Sequence, residues 1–575
     1  MDGVHRLRVL KILAGTTLLA FTGCAGSGPY RHAEDKYVSA PALAACDFEY
    51  GDTDKSINAV ATDFSLSDAQ RNDKLKAIQH DIQAARKTHP DCWETAHEDH
   101  PDYDVSGERH SGYDLFYTEF DDAGSPVDHV KGSRYEESEL HLIESYVLDA
   151  LNADAEQGLN IVVFTHGWHG SARADDTYSI EFKGMLEEIA DREEKYAQAM
   201  GSDRPSSAGL AHRKHRIVGI EIAWRGDSIL FPKVASVWDR KLAAETVSIG
   251  AVHELFAFLN QVYLDNSCRR DRDSRPADGP CDRVHLLTIG HSYGALINFR
   301  SLVSRLQSGL SVDNCDRTYG FGDMTILLNP AFEAARYRSL FEEGLDRHFI
   351  RTEYFGDPNL DPAKCREHSA RQGNLADRGG GAVPTVQLPT IVTLQSLGDS
   401  ATGTFFPIFR HLTSPFAKTL TQQETNDKNK AIGWDKDFRT HELTLLNDTH
   451  QEDQCISASA SVATPPAASQ TVATETKAAK APSATLTFCP FIQGDPAQAS
   501  SSHTAPAEYR HMQLKYAPGT SEALPNYFPL WSVEVAKDIM QNHDDFWNPQ
   551  IVRLVSILFE DAYEQTEHLH VRGVQ

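Results

Sequence analysis

The chain has 575 residues, 40% of them hydrophobic, and a mean hydropathy of -0.43, enough apolar side chain for one large domain with insertions or for two or three smaller ones. Its 55 lysines and arginines face 82 aspartates and glutamates, a net charge of -27. That excess of acid argues against nucleic acid as a partner, and against a basic face that adsorbs to anionic lipid.

At the start of the chain, Arg6, Arg8 and Lys11 lead into an apolar run from Val9 to Phe21 that contains Gly15, Thr16 and Thr17. The run is too short to span a bilayer comfortably, and residues 1–23 read as a secretory signal. The ending "FTGCA" at Cys24 resembles the lipobox of bacterial lipoproteins, with Phe21 where Leu is usual. The resemblance implies that Cys24 is lipidated and becomes the mature N-terminus. It also implies a cell-envelope location and, with Ala25 next, the periplasmic side of the outer membrane. A single acyl chain holds weakly, so stable anchoring needs several. Of nine cysteines, eight remain once Cys24 is set aside, and an even number in an oxidising compartment reads as disulfides. Sequence neighbours are the favoured pairs: Cys46 with Cys92, Cys268 with Cys281, Cys315 with Cys365, and Cys455 with Cys489. There is no C-x-x-C pair, which speaks against zinc.

Residues 24–109 are polar and irregular and read as an N-terminal extension. The "HEDHPDYD" run at 97–104 reads as a solvated acidic loop, because Pro101 interrupts any helix there. From 110 to 565 the pattern changes. Strands are expected at 113–120, 160–168, 216–224, 283–290, 323–330, 389–397 and 528–536. Helices are expected at 137–151, 179–200, 240–264 and 295–306, with a last one opened by Asn548 and Pro549 as N-cap and first helical residue. Strands alternating with helices predict an α/β domain: a mostly parallel central sheet with helices on both faces. Two insertions interrupt it. Residues 357–387 have no apolar period, and the Ala/Ser/Thr/Pro tract 456–486 cannot bury enough apolar surface to offset its ordering entropy. Residues 566–575 read as a tail.

The chemistry centres on "HLLTIGHSYGALI", 285–297. A serine between Gly290 and Gly294 is by itself a weak signal. Here an apolar strand ends at Ile289, and Leu296, Phe299, Leu302, Val303 and Leu306 form one face of a helix that follows at once. A strand that turns sharply into a helix exposes a serine Oγ above the sheet, and the turn excludes side chains at the flanking positions. Ser292 is therefore the candidate nucleophile. Upstream, "FTHGWHG" (164–170) also follows a strand and precedes a helix. His166 and His169 are read there as shaping the loop.

A serine nucleophile needs a base and an acid. Together the Gly-x-Ser-x-Gly turn and the His-Gly turn resemble the α/β-hydrolase superfamily, in particular its serine esterases and lipase-like members, over roughly residues 110–560. The family's chain order is Ser, then acid, then His after the last strand. Carried over, the base is His543, between the last strand and the Asn548–Pro549 helix start. The acid is Asp399, just past the end of a strand, with Glu333 as the alternative. The oxyanion donors are the N–H groups of Trp168 and Tyr293. Arg225 and Asp227 are read as pocket-lining residues or a structural ion pair. The resemblance implies acyl transfer from a small-molecule ester or lipid to water, with no metal or organic cofactor. The competing expectation is an inactive envelope lipoprotein of the same fold that serves as a scaffold.

Overall fold

The computed structural model describes residues 31–32, 74, 104–105, 107–110, 112–127, 138–153, 158–173, 176–203, 215–226, 237–266, 283–310, 318–346, 389–413, 419–451, 486–488, 491–492, 508–520, 524 and 528–571. The signal segment, all nine cysteines with their expected pairings, residues 357–387 and nearly all of 456–486 lie outside the described residues. So does most of the N-terminal extension.

The described chain is an α/β assembly on one twelve-stranded sheet. Its strands are β1 (Gly107–Arg109), β2 (Tyr113–Phe120), β3 (Gly158–Thr165), β4 (His215–Trp224), β5 (Val284–His291), β6 (Met324–Leu328), β7 (Ile391–Ser396), β8 (His441–Gln451), β9 (Leu486–Phe488), β10 (Phe491–Ile492), β11 (Glu508–Tyr516) and β12 (Leu530–Val535). The order is β9-β11-β8-β12-β7-β6-β5-β3-β4-β2-β1, with β10 also on β11. Every pairing from β8 through to β2 is parallel. β1 and the β9–β11 group close the two sides antiparallel.

The parallel strands are buried on both faces, which is why they read as continuous β-branched runs. Along β3, Ile161 and Val163 enter one core while Val162 and Phe164 enter the other. Burying each such side chain contributes about 1.5–3 kcal/mol. The first core is covered by α1 (Glu139–Ala153), α3 (Val237–Val247), α4 (Val252–Asn266), α5 (Tyr293–Leu310) and α6 (Ala335–Leu345). The second is covered by α2 (Thr177–Asp203) and α9 (Pro549–Val571), while α7 (Phe406–Thr413) and α8 (Gln422–Asn429) lie between β7 and β8 in the chain. The Asn548 side chain accepts the Ile551 N–H at 3.1 Å, an N-cap where one was expected.

Three expectations need correction. The helix expected at 240–264 is two helices, α3 and α4, bent by 42°. The break has a cause in Gly250: a side chain there would run into the carbonyl of Gly124, and the Ala251 N–H bonds to that same carbonyl at 2.8 Å. Residues 441–451, where no strand was expected, form β8. The last helix runs to Val571, past the domain end set at 565. Among the described residues no single helix is long and apolar enough to cross a membrane. The bent α3–α4 pair passes on composition, but its apolar residues Ala244, Val247, Leu255 and Leu259 are core residues.

Candidate active site

Three non-glycine residues among those described have positive φ: His169 (72°), Ser292 (54°) and Asn329 (41°). They follow the carboxyl ends of β3, β5 and β6, which are adjacent strands. Residues held in this sparsely populated region cluster at functional sites, because the surrounding structure must over-determine them.

Ser292 is the single residue between β5 and α5. A Cβ at Gly294 would collide with the carbonyl oxygens of Thr165 and His166. One at Gly290 would lie 2.8 Å from the Gly294 oxygen and from the Ala295 Cα. The turn therefore requires both glycines, as its sequence indicates. The Ser292 N–H donates to the Leu328 carbonyl at 3.0 Å, and its own carbonyl accepts from Ala331 at 3.1 Å. The backbone is thus locked on both sides while Oγ is left for other partners.

His543 comes from the loop between β12 and α9, and Asp399 from the turn after β7. The structure brings both to Ser292. Ser292 Oγ lies 2.9 Å from His543 Nε2, and His543 Nδ1 lies 2.9 Å from Asp399 Oδ2. A carboxylate can only accept, so Nδ1 carries the proton and Nε2 offers its lone pair to the Ser292 hydroxyl. Burial alone would push the Asp399 carboxyl up. The facing imidazole and the Thr402 hydroxyl and N–H outweigh it and hold the group at about 2. For His543, burial favours the neutral ring, but Asp399 wins and raises it above the ordinary imidazole value.

No family model, no curated protein and no solved structure matches the chain. The site has to be read from its own geometry.

Glu333, the alternative acid, is not a partner of His543. Its carboxylate is buried in an ion cluster with Lys241, with Arg336 at 2.8 Å and with Arg410 at 3.1 Å. Burial would raise it, but the three cations hold it at about 2. Asp323 sits at the opposite, amino-terminal end of β6, where it accepts from the Tyr263 hydroxyl and the Leu286 N–H, both at 2.8 Å.

The His-Gly turn packs against the nucleophile turn. A Cβ on Gly167 would come within 3.0 Å of the Ser292 Cβ. The turn is braced from β4: the Trp224 N–H donates to His166 Nε2 at 3.1 Å and the Trp224 indole donates to the His166 carbonyl at 2.9 Å. The His169 N–H donates to the Gly226 carbonyl at 3.0 Å. His166 is thus a buried structural residue, and burial holds its ring neutral, at about 4. Tyr293 opens α5, where a first-turn N–H has no intrahelical acceptor. Among the described residues, no backbone carbonyl takes the Trp168 or the Tyr293 N–H. The Arg225 carbonyl accepts from Arg240 at 2.6 Å, and Asp227 lies outside the described residues.

Several supporting residues were not singled out in the sequence. Thr402 donates its hydroxyl to Asp399 Oδ2 and its N–H to Oδ1 at 3.1 Å. The Trp434 indole donates to the Thr402 hydroxyl at 2.9 Å. Gln395 Nε2 donates to Asp399 Oδ2 at 3.0 Å. Asn329 accepts the Ser396 N–H at 2.8 Å and donates to the His543 carbonyl at 2.8 Å, so it ties the acid's strand to the base's loop. The one local signal for any of them is the Asn-Pro at 329–330 closing an apolar strand.

Among the described residues, two side-chain groups bring three ligand-type atoms within 4.8 Å of one another. In His291–His543–Asp544 the ring nitrogens of both histidines already have protein partners. In Asp427–Asp435–Asp437 the Arg338 guanidinium spans two of the carboxylates, at 2.9 Å from Asp427 and 3.4 Å from Asp437.

Proposed function

We propose that the chain is a serine hydrolase of the α/β-hydrolase superfamily that cleaves a carboxylic ester or lipid. The observation that carries this reading is the relay of two 2.9 Å contacts from Ser292 through His543 to Asp399, placed on a strained strand-to-helix turn. His543 takes the hydroxyl proton as Ser292 Oγ attacks the ester carbonyl. The N–H groups of Trp168 and Tyr293 receive the negative charge that develops on the carbonyl oxygen. His543 then returns the proton to the leaving alcohol, which departs from an acyl-serine. In the second half, His543 activates a water that releases the acid. Asp399 stays ionised throughout and stabilises the imidazolium.

Leu397, Phe405 and Ile408, two, six and nine positions from Asp399 in the chain and exposed by 37%, 53% and 50%, supply apolar surface that supports an apolar acyl group. The signal-like segment and Cys24 support an enzyme anchored by lipid in the bacterial envelope, on the periplasmic side of the outer membrane.

A serine-directed fluorophosphonate tests the reading. The wild type is expected to label and the Ser292→Ala variant not to, and p-nitrophenyl esters of increasing chain length then rank the acyl preference. A wild type that does not label, or that labels no better than Ser292→Ala, would refute the enzyme and leave the scaffold of the same fold.

A further inference from the structure

We propose that His291 is a positioning residue for the candidate base: its Nε2–H pins the main-chain carbonyl of His543, and Tyr178 fixes the tautomer that allows it. This rests on the serine hydrolase reading above.

His291 directly precedes Ser292, so one strand end carries both the nucleophile and the clamp. Its ring is fully buried and stacks on Phe546 at 4.0 Å between centroids. Nε2 lies 3.0 Å from the His543 carbonyl oxygen. A carbonyl only accepts, so Nε2 must carry the proton. A neutral imidazole has one N–H, which leaves Nδ1 bare, and there the Tyr178 hydroxyl stands at 3.2 Å as donor. The same carbonyl takes a second N–H from Asn329 at 2.8 Å. The loop that carries the base is therefore gripped from the ends of β5 and β6. His543 must aim both ring nitrogens at once, one at Ser292 and one at Asp399, and a shift of its backbone would spoil both contacts together.

The base works best while His291 is neutral, although its Nε2–H is kept in either state. A charge on it would sit beside the His543 ring, whose centroid is 4.7 Å away, and would oppose formation of the imidazolium. The groups facing His291 are His166 from the end of β3, Tyr178 from α2, Asp399 from the turn after β7, and His543 and Asp544 from the base's loop. Asp399 is already engaged by His543. Asp544 is 4.0 Å away and 74% exposed, so water screens it. Burial wins, helped by the neighbouring His543, and holds His291 well below the ordinary imidazole value.

Three variants of the full chain test the proposal. His291→Phe keeps the stacked ring and loses both polar atoms. Its kcat on a p-nitrophenyl ester is expected to fall about 10- to 100-fold, with KM within about twofold, as a misplaced catalytic group requires. His291→Gln restores a donor and an acceptor and recovers most of the loss. Tyr178→Phe removes one oxygen and, with it, the donor that stabilises bare Nδ1. Without that donor the proton is no longer held on Nε2, so kcat is expected to fall about 3- to 10-fold with KM within about twofold. The proposal fails if folded His291→Phe keeps its kcat, or loses only KM, or if Gln does no better than Phe. It also fails if Tyr178→Phe keeps its kcat, and that variant decides alone should His291→Phe not fold. The fluorophosphonate separates the two readings. An unlabelled wild type removes the hydrolase. A labelled wild type whose three variants label at the same rate removes only the clamp.

Discussion

Replacing Asp399 by asparagine changes one atom and asks whether this carboxylate, and not Glu333, orients the base. In the wild type Asp399 accepts from His543 Nδ1, from the Gln395 amide, and from the Thr402 hydroxyl and N–H. All of these are donors, and asparagine must bring an NH2 among them. If the amide nitrogen faces His543, the imidazole is driven to the opposite tautomer, with its proton on Nε2 against Ser292, and the base is disarmed. If the amide oxygen faces His543, the NH2 is turned on the Thr402 donors. Either way the imidazolium loses its counter-charge. The expected loss in kcat is about 10³- to 10⁴-fold, or about 4–5.5 kcal/mol of transition-state stabilisation. Glu333→Gln perturbs something else. It leaves Lys241, buried at 3% exposure, and two arginines without their carboxylate. Breaking a buried pair in this way costs about 3–5 kcal/mol of stability. That variant is expected to melt earlier while keeping most of its kcat at low temperature. Steady-state kinetics with a p-nitrophenyl ester, alongside thermal melts of both variants, tells them apart. An Asp399→Asn enzyme within about tenfold of wild type, or a folded Glu333→Gln enzyme that loses as much, would refute the assignment.

Because Asp399 raises His543 above the ordinary imidazole value of about 6.5, the rate should fall as pH drops through that raised value; an acid limb at or below about 6.5 contradicts the pairing. For stability the two shifts act in opposite directions. The lowered Asp399 stabilises above its unfolded value of about 3.9 and loses this as pH falls toward about 2. The raised His543 stabilises below about 6.5 and loses this as pH rises through its folded value. Denaturant titrations of wild type and Asp399→Ala across that range should differ at both ends, and identical profiles would contradict the coupling. Gly294→Ala drives a methyl into the Thr165 and His166 carbonyls, so it should cost several kcal/mol and abolish fluorophosphonate labelling; a stable, fully labelled variant would show that the turn does not need this glycine. Cys24→Ala should move the protein from the membrane to the soluble fraction, and undiminished anchoring would exclude Cys24 as the lipid site.

What could be read in the sequence divides along physical lines. The parallel strands were legible because strands buried on both faces are continuous apolar runs, and "NIVVFTHGW" and "VHLLTIGHS" have no other way to satisfy themselves. Ser292, Gly290 and Gly294 were legible because a turn this tight leaves a mark within five residues. His543 and Asp399 were reached through chain order and strand ends. β8 and β11 were missed because they lie toward one side of the sheet, antiparallel to each other, and strands there, such as "HELTLLNDTH", mix polar and apolar residues. The break between α3 and α4 did have a local sign in Gly250, but its cause is the turn at Gly124, 126 residues earlier in the chain. The supporting shell was the least legible part. His291 meets the His543 carbonyl across 252 positions and Asn329 meets it across 214. A histidine before a nucleophile, or an asparagine before a proline, carries no trace of so distant a partner.

The same shell bears on whether the fold houses an enzyme or a scaffold. A scaffold needs the sheet and its two cores, and those are supplied by apolar runs remote from Ser292. It has no use for a serine at a φ of 54°, a conformation that disfavours every residue with a Cβ. Nor does it need Asp399 buried at 1% exposure, where a charge is tolerated only with partners. Here those partners are Gln395, Thr402 and His543, and Asn329 and His291 in turn hold the loop of His543. Each group in the chain is explained by the next, and the sequence of dependence ends at the Ser292 hydroxyl. Replacing that interior with apolar residues of similar volume would be neutral or stabilising for a passive fold. Under the hydrolase reading proposed above, the last hydrogen bond, from Ser292 Oγ to His543 Nε2, is the one broken during the reaction, and that reading accounts for the arrangement.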